Sequence, residues 1–289
     1  MLKNLQICRS VIFITFLFIA FGLVQANESI KFECDYMSEP LPDDIPVKFS
    51  SIVNTFDADE YRITISPKGD EIAFSRGGYI LLTRKMDNDS GWTDPVPAFA
   101  PFDSEGGEPC FSADGTKLYF CSRRDLPGAK EPLNAWVSKK TDGKWAKPFH
   151  LGPPVINQTV HAYSVTPDGS IYCTGITFIE HKDKMYLEVR PLDPPIKGSH
   201  PFIAPCESYI IFDKRGENSY ASDLYITFKN KENNWTDPIN MGPKVNTKKR
   251  ENNASVSPDG KYLFISRAGD IYWVKADFIN DLKKQALGE

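Results

Sequence analysis

The length, composition and charge of the chain favour an ordinary globular protein and argue against one that binds nucleic acid. Its 289 residues, 41% hydrophobic and 25% charged, give room for one large domain or two small ones. The formal net charge of −4 supplies no basic surplus, so we expect no nucleic-acid partner. Abundant aromatic residues, Pro and Gly suit short strands joined by turns better than helices.

The first 26 residues are typical of a secretory signal. Lys3 and Arg9 make a positive start, the apolar run Val11 to Val24 follows, and Val24-Gln25-Ala26 offers a small-residue cleavage pattern. This run is shorter than the about 20 apolar residues that a spanning helix needs. We therefore predict a cleaved signal peptide over 1–26, no membrane span in the mature chain, and a periplasmic or secreted location. A retained N-terminal anchor is the alternative.

The cysteines leave their pairing open. Cys8 lies in the signal, and the number that remains is odd, so at least one thiol stays unpaired within the chain. The sequence has no CxxC spacing and predicts neither a cofactor nor a metal. Cys121 and Cys173 lie in alternating apolar runs and are interpreted as small buried hydrophobes. The mature cysteines are Cys34, Cys110, Cys121, Cys173 and Cys206.

The mature chain repeats one phrase five times. Each copy has a short run ending in a tight turn, an alternating apolar run, and a second alternating run. Pro fixes φ at the first corner of such a turn and Gly tolerates positive φ, while alternation of period two indicates strands. The turns begin at Pro67, Ala113, Pro167, Pro205 and Pro258.

A fourth part, opened by Trp92, Trp145 or Trp235, follows in three of the copies. Because these tryptophans recur at one repeat position, we interpret them as packing between repeats rather than as sugar-stacking residues. Four short strands in each repeated unit are typical of a β-propeller. A solenoid is the alternative, but it would need capping ends.

The fifth copy, Ser255 to Ala276, lacks the fourth part, and an upstream segment supplies a match. The stretch IPVKFSSIVN, which ends at Asn54, resembles the end of the fourth part in other copies. An N-terminal strand in the last blade would leave no open sheet edge. The sequence thus predicts an all-β protein, a five-bladed β-propeller whose N-terminal strand closes the last blade, with a short C-terminal helix. The expected parts are an N-terminal segment 27–43, a closing strand 44–54, blades at about 60–103, 106–157, 160–197, 199–246 and 251–277, and a tail 278–289.

Two motifs carry a resemblance to a known family. The phrase SPDGKYLFISR…DIYWV and the connector from Trp to LGPPVIN or MGPKVN resemble TolB-type, WD40-like propeller repeats, which are common in secreted and periplasmic bacterial proteins. The resemblance implies the fold, whereas propellers host hydrolases, lyases and binding modules alike. The fourth copy departs from it with the turn APCES. The third departs with RPLDPPIKGS, which has no Trp, so we expect its outer strand to be short or absent.

The first strand of each propeller blade lines the channel, so the residues near its start should form a mouth. The equivalent position is Arg62, Glu108, Ala162, His200 and Asn253 in the five copies, with Glu60, His161 and Glu251 beside it. Glu108, His161 and His200 are suited to acid–base work or to binding a metal ion, although no two of them have HxxH-type spacing. The alternative is that these charges pair with one another in a narrow, water-filled channel.

A second group of candidates follows the second strand, at Arg123, Arg215 and Arg267. Such side chains could grip the carboxylates of uronic acids or of an acidic protein tail. Their recurrence favours a structural role instead, in which each Arg pairs with an Asp of its own or the adjacent blade.

The favoured hypothesis is an exported, non-catalytic propeller that binds a protein or a glycan at the channel mouth. The alternative is a carbohydrate-active enzyme, a glycoside hydrolase or uronate lyase, that uses Glu108, His161, His200 and a nearby Arg. Convergence of these groups within about 5 Å around an open cavity would favour the enzyme. The sequence leaves the ligand, the catalytic question and the oligomeric state open.

Overall fold

The structure is a computed structural model that describes residues 36–87, 91–129, 132–157, 162–216 and 221–289. These residues all belong to one compact unit. The predicted signal peptide, Cys34 and His161 lie outside the described residues, so the signal stays a prediction. In the part of the chain that the structure describes, no helix is long and apolar enough to cross a membrane.

Five antiparallel sheets follow one another along the chain, and each forms one blade. The strands of blade 1 are β2 (Glu60–Ile65), β3 (Glu71–Arg76), β4 (Tyr79–Arg84) and β5 (Val96–Pro97). Those of blade 2 are β6 (Gly107–Phe111), β7 (Lys117–Ser122), β8 (Asn134–Thr141), β9 (Lys144–Trp145) and β10 (Phe149–His150). Blade 3 contains β11 (Ser164–Val165), β12 (Ile171–Cys173), β13 (Thr177–Lys182) and β14 (Met185–Pro191).

Blade 4 contains β15 (Ser199–Ile203), β16 (Tyr209–Arg215), β17 (Ser222–Phe228) and β18 (Ile239–Asn240). Blade 5 contains β19 (Glu251–Val256), β20 (Tyr262–Arg267), β21 (Asp270–Lys275) and β1 (Val47–Lys48), which comes from the N-terminal side of the chain. The first strands β2, β6, β11, β15 and β19 contact one another in a closed cycle. The predicted five-bladed β-propeller is thereby confirmed. The helix α1 (Phe278–Leu287) and the short 3₁₀ turns Tyr36–Ser38 and Val155–Asn157 complete the described elements.

The N-terminal strand closes blade 5 as predicted. Val47 pairs with Trp273 across the β1–β21 ladder. Asn54 then fastens the segment, because its Nδ2 donates to the carbonyls of Phe49 and Ile271 and its Oδ1 accepts from the Ile271 amide. Asn246, which ends the equivalent connector of blade 4, bonds the Leu224 backbone in the same way. The sequence match therefore reflects one repeated clamp.

The turn between the first two strands is also repeated. In blade 5 the Ser257 hydroxyl donates to Asp259 (2.7 Å) and accepts from the Tyr262 amide (3.0 Å), and Gly260 supplies a φ of +73°. In blade 4 the sequence APCES lacks both Asp and Gly. Its turn still forms, since the Ala204 amide donates to the Tyr209 carbonyl and Glu207 takes a φ of +53°.

Blade 3 corrects one expectation. Its outer strand is neither short nor absent. The run KMYLEVR, which the repeated phrase matches to its second alternating run and hence to the third strand, forms the fourth strand β14. The third strand is the preceding segment Thr177–Lys182, and Asp183 and Lys184, at φ of +50° and +65°, make the tight turn between them. A hairpin thus replaces the long Trp-containing connector of blades 1, 2 and 4.

The hydrophobic core lies mainly between neighbouring blades. Trp273 and Phe264 of blade 5 belong to one cluster with Phe74 of blade 1. Trp235 of blade 4 is buried and meets Tyr172 of blade 3 at 6.4 Å between ring centroids. These contacts agree with the interpretation of the recurrent tryptophans as packing between repeats. The C-terminal helix buries Ile279 in the cluster formed by blades 4 and 5.

Candidate functional site

The five equivalent channel residues share an unusual backbone conformation. Each has a positive φ: Arg62 (48°), Glu108 (57°), Ala162 (49°), His200 (49°) and Asn253 (51°). In four of the five blades a register shift marks a bulge at this point of the first ladder. Bulges re-aim side chains, and non-glycine residues rarely adopt this conformation. The sequence alignment therefore located a repeated structural feature that points one side chain of each blade at the channel.

Arg62 fills the channel itself. Its side chain is buried, with 2% of the residue exposed. Nη1 donates to the Ala254 carbonyl (3.3 Å), and Nη2 donates to the carbonyls of Tyr163 (3.1 Å) and Pro201 (3.4 Å). These carbonyls directly follow the left-handed residues of blades 5, 3 and 4. The Arg62 guanidinium thus joins blade 1 to blades 3, 4 and 5 at the axis of the ring, beneath the accessible mouth.

At the mouth, blades 2 and 4 meet through a chain of three titratable side chains. The His200 imidazole lies between two carboxylates: Nδ1 is 2.6 Å from Asp213 Oδ1, and Nε2 is 3.4 Å from Glu108 Oε1. Burial alone would lower the pKa of His200. The hydrogen bonds that the imidazole donates to Asp213 and Glu108 outweigh burial and raise this pKa to about 9. At neutral pH His200 is therefore an imidazolium.

The Glu108 carboxylate contacts three groups, the His200 imidazole, the Ala162 amide and the Cys121 thiol. Its Oε2 accepts hydrogen bonds from the Ala162 amide and from the Cys121 thiol, the latter at 3.5 Å. Because the Ala162 side chain of blade 3 is small, it does not block the space between blades 2 and 4, and the Glu108 side chain of blade 2 contacts His200 of blade 4. Tyr61 lines the same space, and burial, followed by the charge of Glu108, raises its pKa.

Glu60, Glu251 and Arg267 belong to two buried ion pairs that repeat in blades 1 and 5. Glu60 Oε1 is 2.8 Å from Arg76 Nε, and Glu251 Oε1 is 2.8 Å from Arg267 Nε. Both glutamates are fully buried, and each arginine also donates to a carbonyl of the preceding connector. The arginine thus ties the blade to its neighbour. It pairs with Glu rather than with the Asp that the sequence analysis expected.

Blades 2 and 4 have glycine in place of this glutamate. A Cβ on Gly106 would lie 2.5 Å from the Cys121 carbonyl oxygen, and one on Gly198 would lie 2.3 Å from a ring carbon of Phe212. The backbone therefore sits directly against the second strand. Because blades 2 and 4 lack the Glu–Arg pair, open space remains at the mouth beside Gly106 and Gly198.

Three cavities result, and all of them border His200. One of about 420 Å³ lies beside Gly106 and Glu108, and one of about 570 Å³ lies beside Gly198 and Asp213. A third of about 310 Å³ lies beside Asn253. The structure thus brings Glu108, His200 and Asn253 together at one open mouth, whereas Arg62 lies beneath them.

The cavity beside Gly198 is strongly cationic. Lys197, Lys214, Arg215 and Arg250 line it, and the carboxylate among its lining residues is Asp213, which His200 neutralises. Arg123 lines the cavity beside Gly106 together with the acidic Glu105 and Glu108.

Arg123 and Arg215 each lie one residue beyond the position equivalent to Arg267, so the three arginines do not form one ring. Two residues of the mouth, Arg250 and Asp213, were not predicted from the sequence. The basic run Lys248 to Arg250, directly before β19, was the available signal for the first. Asp213 stands where blades 1 and 5 have serine.

The mouth also contains a polar atom without a partner. Asn253 Oδ1 is buried, and no hydrogen-bond donor meets it among the described residues. Asn253 lines the cavity of about 310 Å³. Since an unsatisfied buried acceptor is costly, a ligand that brings a donor to it would gain free energy.

Within the described ranges, no group of three or more His, Cys, Asp or Glu side chains is arranged to hold a metal ion. The thiols of Cys110, Cys121 and Cys173 are buried, as expected for the last two, and Cys206 is exposed. Burial raises the pKa of each of the three buried thiols and so keeps them protonated.

The fold and the mouth define a five-bladed β-propeller with a plugged channel and an open polar face. No family model matches the chain, and no curated protein matches it. Solved structures of β-propellers do match the chain. A protein assigned as TolB from Agrobacterium tumefaciens has 12% identity and a TM-score of 0.46, covering 74% of this chain and 71% of its own.

TolB from Acinetobacter baumannii has 12% identity and a TM-score of 0.44, covering 78% of this chain and 56% of its own. A gluconolactonase from Xanthomonas campestris has 10% identity and a TM-score of 0.45, covering 81% of this chain and 97% of its own. At these identities the similarity concerns the fold alone. The chain accordingly resembles TolB and other β-propellers in architecture, as its repeats predict.

Proposed function

We propose that the protein is an exported, non-catalytic β-propeller that binds an acidic glycan at its channel mouth. The cationic cavity beside Gly198 carries this proposal. Among the described residues, four Lys and Arg side chains line the cavity, and its one carboxylate, Asp213, is paired with the His200 imidazolium. Arginine and lysine in such numbers favour a ligand with carboxylate groups, such as a chain of uronic acids.

The unpartnered Oδ1 of Asn253 is compatible with a glycan ligand. This buried acceptor has no donor among the described residues, and a sugar hydroxyl is a donor of the kind that it lacks. A sugar acid has hydroxyl donors beside its carboxylate and can satisfy both parts of the mouth. We therefore propose His200, Arg215, Arg250 and Asn253 as the principal contacts, with Arg123 at the rim.

The state of the two central groups favours binding over catalysis. His200 is protonated and donates toward two carboxylates, so it has no lone pair for a general base. The hydrogen bonds of Glu108 to Ala162 and Cys121, together with His200, hold its carboxylate in one position. These contacts stabilise a fixed binding surface.

One observation favours the carbohydrate-active enzyme as a second candidate. Glu108 and His200 converge to 3.4 Å beside an open cavity of about 420 Å³, which satisfies the distance expected for a catalytic pair. The third residue of that hypothesis, His161, lies outside the described residues.

Calorimetric titration of the mature protein with oligogalacturonate tests the binding proposal. The matched control ligand is the same oligosaccharide with its carboxyl groups reduced. We expect binding of the acidic form alone, weakened by roughly tenfold or more in the Arg215→Gln/Arg250→Gln double variant and unchanged in Lys283→Gln on α1. Equal binding of the neutral form, or tighter binding of poly-glutamate at the same arginines, would overturn the acidic glycan.

The enzyme hypothesis has its own readout. Release of new reducing ends or unsaturated sugars from the oligosaccharide, abolished by Glu108→Gln, would establish turnover and overturn the non-catalytic proposal. Cell fractionation with the mass of the mature chain tests the predicted export, since cleavage after Ala26 removes residues 1–26.

A further inference from the structure

The outer strand of blade 3 is unlike those of the other blades. β1, β5, β10 and β18 each have 2 residues, whereas β14 has 7. Very short outer strands blunt the edge of a sheet and prevent pairing with other chains. Among the described strands, only that of blade 3 presents a long edge to the outside of the ring.

This edge is also exposed. β14 ends its sheet and pairs with β13 on one side. Met185 and Leu187 are 62% and 39% exposed, and Pro191 is the last residue of the strand. One register shift opposite Ile179–His181 places an extra residue at Leu187–Glu188, so the regular parts of the edge are Met185–Tyr186 and Val189–Pro191. Its outward backbone groups form a template on which an extended segment can add a strand.

A cationic groove lies beside the start of β14. Its volume is about 380 Å³, and it runs between the face of blade 2 and the β13–β14 hairpin. Lys117, Lys139 and Lys184 line it, and no carboxylate of the described residues lies among its lining or within an ion-pair distance of these lysines. Phe149, 43% exposed, supplies an apolar wall under the Lys139 ammonium, which lies 5.3 Å from the ring centroid.

We propose that β14 and this groove form a docking surface for an acidic, extended segment of a partner protein. The segment adds a strand to blade 3 by backbone hydrogen bonds, and its carboxylates reach the lysines. A second copy of the chain fits less well, because its own β14 carries one carboxylate, Glu188, and one guanidinium, Arg190. The site is separate from the channel mouth and does not depend on the ligand there.

A ten-residue peptide of alternating valine and glutamate, labelled for fluorescence anisotropy, serves as the probe. Two matched peptides accompany it: one has lysine in place of glutamate, and the other has proline in place of every second valine, which removes backbone donors but keeps the charge. We expect the first peptide to bind the full mature chain and both controls to fail. Hydrogen exchange with mass spectrometry should show new protection of Met185–Pro191 in the complex.

The variant Lys139→Gln/Lys184→Gln should weaken binding of the acidic peptide roughly tenfold, and Lys283→Gln on α1 should leave it unchanged. Protection that appears elsewhere, or equal binding of the proline peptide, would overturn the strand addition. Binding indifferent to the two lysines would overturn the acidic partner. A dimer in sedimentation analysis with β14 already protected would assign the edge to a second copy instead.

Discussion

Glu108 and His200 meet across the channel mouth, 3.4 Å apart between Oε1 and Nε2, although they belong to blades 2 and 4. Two features allow the contact: Ala162 is small at the equivalent position of blade 3, and Asp213 holds the far side of the imidazole. Each blade of a propeller otherwise contacts mainly its neighbours. This chain of side chains joins two blades that are not adjacent, and it turns their equivalent positions into a single site.

The first prediction concerns the pH dependence of stability. The pKa of His200 rises from 6.5 to about 9 in the folded protein. Its contribution to the free energy of unfolding, on the order of 3 kcal/mol, is therefore fully present below about pH 6.5 and is lost as the pH rises through about 9. Urea unfolding at pH 6, 7.5 and 9.5 should show this loss in the native protein, and His200→Asn should remove most of it.

A histidine of opposite behaviour serves as the internal control. Burial lowers the pKa of His150, which is half-buried beside Trp136. In an NMR titration its ring signals should shift below pH 6.5, while those of His200 should shift well above neutrality. A His200 signal that titrates near 6.5 would contradict the structure of the mouth.

The second prediction concerns ring closure. Asn54 makes three hydrogen bonds that fasten the closing segment to blade 5. Asn54→Ala should lower the free energy of unfolding by about 1–3 kcal/mol, since it leaves the Ile271 amide without its acceptor, while the Ile271 carbonyl keeps its bond from the Phe49 amide. It should also speed tryptic cleavage at Lys48, because β1 detaches more readily.

Asn246→Ala is the matched control, since it removes the same clamp from an internal connector. We expect a similar loss of stability there, without faster cleavage at Lys48. If Asn54→Ala leaves both stability and cleavage unchanged, pairing of β1 with β21 does not close the ring.

Local patterns predicted the scaffold well because every blade repeats them. The turn phrase located the first two strands of each blade, and the match at Asn54 found the closing strand, since both depend on contacts that recur. Blade 3 was misassigned because its hairpin, Thr177 to Pro191, has no counterpart elsewhere. A second alternating run was therefore taken for the third strand of the common pattern.

The candidate site was only partly predictable. The alignment found Glu108 and His200, since the repeated bulge places one residue of each blade at the mouth. It missed Asp213, whose role depends on the partner across a strand. It also missed Arg76, although SRGG at Ser75 matches SRAG at Ser266. The alignment also assigned Arg62 to the mouth. Nothing in the sequence shows that its long side chain lies along the channel axis and bonds to carbonyls of three other blades.

The third prediction concerns the buried ion pairs of blades 1 and 5. Arg267→Met should destabilise the protein by about 3–5 kcal/mol, because it leaves the fully buried Glu251 without its counter-ion. Lys48→Met is the control, as it breaks the exposed pair with Asp270 and should destabilise the protein far less than Arg267→Met does. Equal effects in urea unfolding would contradict a structural role for the Glu251–Arg267 pair.

The last prediction concerns the plug of the channel. Arg62→Met keeps much of the side-chain volume but leaves the carbonyls of Ala254, Tyr163 and Pro201 directed at an apolar side chain. Because each carbonyl then lacks its donor, the free energy of unfolding should fall by about 3–5 kcal/mol. The stability of Arg62→Lys should lie between that of the native protein and that of Arg62→Met, since one ammonium cannot bond to three blades as the planar guanidinium does.

Arg123→Met is the control, because it changes an exposed side chain at the rim. It should stay within about 0.5 kcal/mol of the native protein. Urea unfolding of the three variants in parallel gives the comparison, and an Arg62→Met variant as stable as the Arg123→Met one would mean that the guanidinium does not hold blades 3, 4 and 5 together.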